Sequence, residues 1–175
     1  WYTKAAEQGH ADAQYYLGQA YACNIGVQED FNKAAYWYTK AVEQGHADAQ
    51  YYLGLAYRSG SGVQKDLKQA IYLHTKAAEQ GNIYAQIDLA MVNRYGYNGV
   101  QKDLKQAIYW YKKAAEQGHA NAQSYLGVAY HYGNGVQKDL KQAAYWYTKA
   151  AERGNADAQS YLGVAYHYGN GVQKD

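Results

Sequence analysis

Proline is absent from this 175-residue sequence, and cysteine, methionine and phenylalanine occur once each. With 18 glycines but no proline, collagen and polyproline architectures are excluded. The lone Cys23 excludes an intrachain disulfide and a multi-cysteine metal site. Neither sign of charge dominates. Seventeen basic and 15 acidic residues leave a net +2, too balanced for nucleic-acid binding by bulk electrostatics. No apolar run approaches the ~18–20 residues of a membrane-spanning helix. What the chain does hold is aromatic: 23 Tyr and 4 Trp within a hydrophobic share of 48 %. Such a composition can build a core and is not that of a disordered segment. Length alone suggests one domain.

The tryptophans set a period. Trp1, Trp37, Leu73 in the same slot, Trp110 and Trp146 are spaced 36, 36, 37 and 36 residues apart. Around each lies W-Y-x-K-A-A-E-Q-G, then H-A-D-A-Q-x-Y-L-G-x-A-Y, then G-x-G-V-Q-K-D. The extra residue of the third unit falls in Tyr95-Gly96-Tyr97-Asn98-Gly99, where a glycine loop can absorb it. Each unit reads as two helices. Helix A runs roughly from Asp30 to Gln44, with Phe31, Ala34, Tyr38, Ala41 and Val42 at helical spacing and Trp37 beside them. Gly45 and its equivalents follow as helix stops. Helix B starts after His46, where Asn82 and Asn155 stand as caps in other units, and runs to about Arg58. Gly54, Gly18, Gly127 and Gly163 recur inside helix B, which implies close helix–helix approach. Gly60 and Gly62 turn the chain into the next helix A, Asn24 stands once for the first of them, and Val63 anchors the loop. One such pair cannot bury its apolar face alone, whereas stacked neighbours can.

This string resembles the Sel1-like repeat family, relatives of the tetratricopeptide repeats. The residues that carry the resemblance are Ala34, Trp37, Tyr38, Lys40, Ala41, Gly45, Ala49, Gln50, Leu53, Gly54, Tyr57, Gly60, Gly62, Val63 and Asp66, and the same set in later units. The resemblance implies an all-α fold, a right-handed α/α superhelical solenoid of about five 36-residue helix-turn-helix repeats. The register is 1–36, 37–72, 73–109, 110–145 and a partial 146–175, read as a single repeat domain over 1–175. Proteins similar to this are adaptors and scaffolds, and in bacteria include signalling regulators, host-interaction factors and immunity proteins against secreted toxins. A cysteine-rich branch of the family does not fit a chain with one cysteine.

The residues offer no recognisable catalytic constellation. His10, His46 and His119 share the helix B cap, His131 and His167 share one loop position, and only His74 is out of register, in the slot of Tyr38, Tyr111 and Tyr147. Residues that repeat with the fold are explained by the fold, and His74 reads as a partly buried substitute for Tyr. Asp30, Asp66, Asp103 and Asp139 open helix A, where they suit the positive end of the helix dipole. Glu43, Glu79, Glu116 and Glu152 lie far apart in sequence. The glycine loops lack the G-K-[ST] of a phosphate loop. No catalytic residue, metal ligand or cofactor is therefore expected.

Binding residues are those the fold does not need. With Ala34 at zero and about 100° per residue, Tyr36 falls at about 200°, opposite the helix A core. Tyr72, Tyr109 and Tyr145 repeat that position, each followed at i+4 by Lys: Lys40, Lys76, Lys113 and Lys149. Stacking would set the four Tyr in a ladder, and resemblance to related solenoids would put helix A on the concave surface. A tyrosine floor offers contact area at low entropy cost together with hydroxyls. The alternative is that these Tyr pack on neighbouring helices and fill the inner curve.

The third unit is a second candidate, with Leu73, His74, Tyr84, Ile87, Asp88, Ala90, Met91 and Asn93 all departing from its neighbours. These changes mark either a specialised contact or drift. The units from 110 and 146 differ at four of their first thirty positions: Lys112/Thr148, Gln117/Arg153, His119/Asn155 and Asn121/Asp157. Trp1 sits mid-helix, Asp175 falls where another helix A would open, and neither end reads as a polar cap. Both ends are expected to cut through a unit, with further repeats or end-to-end self-association covering them. The expected function is a non-enzymatic interaction scaffold that binds a protein or peptide, not nucleic acid. A dedicated inhibitor such as a toxin-immunity protein is the alternative, and an enzyme ranks last.

Overall fold

The computed structural model describes residues 1–97 and 99–172; Asn98 of the long loop and Asp175 of the expected next helix lie outside them. The described residues form ten helices: α1 (Tyr2–Glu7), α2 (Ala11–Ala22), α3 (Phe31–Glu43), α4 (Ala47–Ser59), α5 (Leu67–Glu79), α6 (Ile83–Tyr95), α7 (Leu104–Glu116), α8 (Ala120–Tyr132), α9 (Leu140–Glu152) and α10 (Ala156–Tyr168). Odd-numbered helices are the A helices and even-numbered ones the B helices. The chain divides into two compact units, residues 1–85 and 86 onward, with the division inside α6.

Caps fix the helix boundaries. Asp30 Oδ1 accepts from the Lys33 amide at 3.0 Å, and Asp66 Oδ1 accepts from Lys68 and Gln69. Asp103 and Asp139 repeat that double bond at α7 and α9. At helix B, His46 Nδ1 accepts from the Ala49 amide at 3.1 Å and His119 Nδ1 from Ala122 at 3.2 Å. Asn82 and Asn155 do the same with side-chain oxygens. His10 makes no such bond. Between the two helices of a repeat, the Gly45 amide donates to Val42 O and the His46 amide to Ala41 O. This paired pattern needs a left-handed residue after the helix end, and Gly45 supplies it at φ 81°.

The return loop is pinned by its own backbone. The Asp66 amide donates to Tyr57 O at 2.9 Å, and the Asp139 amide to Tyr130 O at 2.9 Å. In the long loop the Asp103 amide reaches Asn93 O at 2.8 Å, one residue further back, so the insertion is absorbed without losing the tie. Gly62 is fixed by space as well as by φ: a Cβ there would strike the carbonyl of Phe31. Asn24 adopts φ 56°, as expected of the residue that stands for a loop glycine.

In the first unit the core gathers Ala34, Ala35, Tyr38, Ala41, Ala49, Leu53 and Leu73, with Val63 packed against it. In the second, Ala143, Tyr147, Ala150 and Ala158 form a cluster with Val128, Tyr130 and Leu162. Three of the helical glycines mark close crossings, since a Cβ on Gly18 would lie 2.6 Å from the Tyr38 ring, one on Gly54 would strike His74 and one on Gly127 would overlap Tyr147; the expectation fails at Gly163, where a Cβ would meet nothing within 4 Å.

Three expectations need correction. Phe31 is 44 % exposed rather than core, because it opens α3 in a first turn whose residues Phe31, Asn32 and Lys33 are all exposed. His131 and His167 are helical, in the last turns of α8 and α10, because Gly133 and Gly169, the left-handed C-caps, come two residues later. His74 is fully buried at 2 % exposure rather than partly, lodged against Gly54 and stacked on Tyr51 at 5.3 Å.

Candidate functional site

The buried side of helix A is a broad arc. On α7 it takes in Ala107, Ile108, Trp110, Tyr111, Ala114 and Ala115. Tyr109, with Lys112 and Lys113, lies outside this arc and is exposed, as are Tyr36, Tyr72 and Tyr145. Tyr36 and Tyr72 belong to the first unit, Tyr109 and Tyr145 to the second.

Each exposed Tyr is held by its own helix. The Lys40 ammonium stands 6.0 Å from the Tyr36 ring centre, Lys76 5.9 Å from Tyr72, Lys113 5.8 Å from Tyr109 and Lys149 5.9 Å from Tyr145. These distances lie at the outer limit of cation–π attraction. Lys40 and Lys76 also pair with Glu43 and Glu79, at 3.2 and 3.8 Å. The indole at i+1 meets the ring edge-on for Tyr36, Tyr109 and Tyr145, at centroid distances of 5.0, 4.8 and 5.0 Å. Tyr72 is followed by Leu73 and has no such neighbour. The same Tyr–Lys arrangement thus recurs on all four helices.

In the second unit one of these pairs opens into a groove. Tyr145, Trp146, Lys149 and Arg153 of α9 and its C-terminal turn face Glu116, Gly118 and Gln123 across about 320 Å³. Gln123 is buried at 3 % exposure, and its Nε2 donates to Ala115 O at 2.9 Å.

A second concavity of about 240 Å³ lies on the helix B side of the same unit. Its centre is Arg94, whose guanidinium stacks on Tyr95 at 4.8 Å and on Tyr125 at 4.3 Å. Met91, Ile87 and His119 complete it. Burial pushes the Tyr111 hydroxyl up, and the adjacent Arg94 pulls it back. Burial pushes His119 down. Arg94 was not among the residues singled out from sequence, because its role depends on Tyr125, a repeat away. The only available signal was its position within the run of unusual residues in the third unit.

Chemistry is sparse. Among the described residues no group of three or more His, Cys, Asp or Glu is placed to hold a metal ion. No helix there is long and apolar enough to cross a membrane. Cys23 is exposed.

Comparison with known proteins follows this geometry. The Sel1 repeat profile matches residues 1–10, 11–46, 47–82, 83–119, 120–155 and 156–175, with boundaries that open at helix B rather than helix A. A Sel1 repeat protein from Oxalobacter formigenes is 38 % identical, with a TM-score of 0.86 over 96 % of this chain and 69 % of that one. The protective antigen c5321 of uropathogenic Escherichia coli strains, which displays an SLR fold, is 39 % identical with a TM-score of 0.89. That match covers 99 % of this chain but only 37 % of the antigen. The immunity protein Pa5087 from Pseudomonas aeruginosa is 27 % identical, with a TM-score of 0.54 over 94 % of this chain and 61 % of that one. Curated proteins gave no significant match.

Proposed function

This chain belongs to the Sel1 repeat family, and from that premise we propose that it is a non-catalytic scaffold whose helix A faces receive a partner polypeptide. Sel1 repeats generally mediate protein–protein interaction. The partner-binding residues are Tyr36, Tyr72, Tyr109 and Tyr145 with Lys40, Lys76, Lys113 and Lys149. The observation that carries this reading is the groove beside α9, where Tyr145 and Lys149 line a concavity instead of a convex ridge. Exposed tyrosines already oriented by an indole and a lysine offer apolar area, hydroxyls and charge to an extended or helical segment.

A second reading, a dedicated inhibitor with one tight partner, is favoured by the likeness to the immunity protein Pa5087. Affinity capture followed by mass spectrometry separates the two: several partners for a scaffold, one for an inhibitor. The site itself is tested by Tyr36→Ala/Tyr72→Ala and Tyr109→Ala/Tyr145→Ala, measured against the captured partner. Each pair is expected to weaken binding by roughly tenfold or more while the helical circular-dichroism signal is unchanged. Unchanged affinity for both pairs refutes the site. Loss of helix instead of binding means that these Tyr serve packing.

A further inference from the structure

The same side-chain bond recurs at three successive repeat junctions. Gln44 Nε2 donates to Gln14 Oε1 at 2.8 Å, Gln80 Nε2 to Gln50 Oε1 at 2.9 Å, and Gln117 Nε2 to Gln86 Oε1 at 2.9 Å. The donor follows the end of helix A, and the acceptor lies buried in the first turn of the preceding helix B. The fourth pair in this register is Gln123 and residue 153, which is Arg. Gln123 is as buried as its equivalents, yet its Oε1 has no hydrogen-bond partner in the protein. Arg153 does not take over the bond. Its guanidinium lies over Gly118, with Nη2 2.7 Å from where a Cβ on that glycine would sit. The bare backbone of Gly118 leaves room for it.

Gln123, which carries the unmatched and buried acceptor, therefore lines the 320 Å³ groove with two cations, Arg153 and Lys149, and one carboxylate, Glu116. A buried acceptor calls for an N–H or O–H donor. A planar guanidinium beside an ammonium calls for a carboxylate, which it can hold through two parallel bonds. A peptide carries both within one residue, a main-chain N–H and a carboxylate. Building on the partner-polypeptide reading above, we infer that this groove is a subsite for an acidic peptide residue. Arg153 and Lys149 hold its carboxylate, and Gln123 Oε1 accepts a peptide N–H once the exposed Arg153 side chain swings off Gly118. Tyr145 and Trp146 flank the peptide backbone. Replacement of Gln by Arg thus converts a repeat-to-repeat bond into a recognition site.

The carboxylate could be an Asp or Glu side chain or a chain terminus, and fluorescence anisotropy with three fluorescein-labelled Gly/Ser-rich peptides separates them. One carries a central Asp-Glu-Asp and an amidated end, one carries only a free terminal carboxylate, and one carries Asn-Gln-Asn with an amidated end. Binding of the first or the second, weakening as salt rises, supports the inference and identifies the carboxylate. Arg153→Gln restores the residue that four other repeats carry, as Gln8, Gln44, Gln80 and Gln117. It should weaken that binding by about tenfold or more and raise the thermal midpoint by about 2–4 °C as Gln123 regains its donor. Arg153→Ala should weaken binding equally without raising the midpoint. Binding of the neutral peptide as tightly as the acidic ones, no binding of either acidic peptide, or unchanged affinity in Arg153→Gln overturns it. If Arg153→Gln has no effect while Tyr109→Ala/Tyr145→Ala still releases the captured partner, the subsite fails and the broader reading stands.

Discussion

Tyr38, Tyr111 and Tyr147 occupy one slot of the repeat, and all three are buried, at 3 %, 6 % and 1 % exposure. Their hydroxyls differ. Those of Tyr38 and Tyr147 have no hydrogen-bond partner in the protein, whereas the Tyr111 hydroxyl lies beside Arg94. A buried polar group without a partner costs about 1–3 kcal/mol. Tyr38→Phe and Tyr147→Phe should therefore each stabilise the protein by about 1 kcal/mol, a rise of about 2–4 °C in midpoint for a chain of this size. Tyr111→Phe should bring no such gain, because the Tyr111 hydroxyl has the Arg94 guanidinium beside it. Urea titration followed by circular dichroism reads the difference, with unchanged slopes showing that the unfolded state is unaffected. Alkaline titration gives an independent readout. Burial raises Tyr38 and Tyr147 far above the ordinary value of about 10. The unfolded chain therefore loses these protons first, so the stability they hold is complete below pH ~10 and falls as pH climbs beyond it. The double Phe variant should resist alkali to a higher pH than the parent. A loss of 1 kcal/mol or more in Tyr38→Phe or Tyr147→Phe would refute the reasoning, as would an equal gain in all three.

Two other outcomes follow from the same packing. Burial lowers the His119 pKa, so its unfolded form binds protons more readily, and stability should fall as pH drops below about 6.5. His119→Asn keeps the cap that Asn155 makes at the equivalent position, and should flatten that acid limb of a thermal-midpoint profile. Gly127→Ala drives a methyl into the Tyr147 ring and should cost about 1–3 kcal/mol. Gly163→Ala meets nothing within 4 Å and should stabilise by up to about 1 kcal/mol through helix propensity. Equal effects of the two alanines in urea titration would show that neither glycine reports helix contact.

Much of the fold was legible because its determinants are local and repeated. Asp30 and His46 announce helix starts through their own caps, and Gly45 announces an end, so the expected helices fall within a residue or two of α3 and α4. Opposition on the helical wheel foretold the exposure of Tyr36 and its equivalents. What failed depended on neighbours along the stack. Phe31 fits the apolar stripe of α3, but its turn has too little laid over it. His131 was read as loop because its unit places the glycine pair just beyond it, and the left-handed cap at Gly133 lets the helix run on past His131. The Gln44–Gln14 bond joins residues 30 positions apart, and their recurrence was visible only as a shared motif.

A break in register is informative only where something is left unmatched. His74 replaces Tyr, yet it fills the same slot, lodged on Gly54 and stacked on Tyr51, so the packing absorbs the change. The inserted residue of the long loop is absorbed as well, since Asp103 still ties back, to Asn93 in place of the usual helix B tyrosine. Arg153 is different. It takes the place of a donor, leaves Gln123 Oε1 without one, and sets a second cation beside Lys149 in the groove. Drift alone would be selected against by the cost of that buried acceptor, about 1–3 kcal/mol, unless some other group supplied the donor. The third repeat, with its many substitutions, is therefore a weaker pointer to function than a single Gln-to-Arg change in an otherwise near-identical copy.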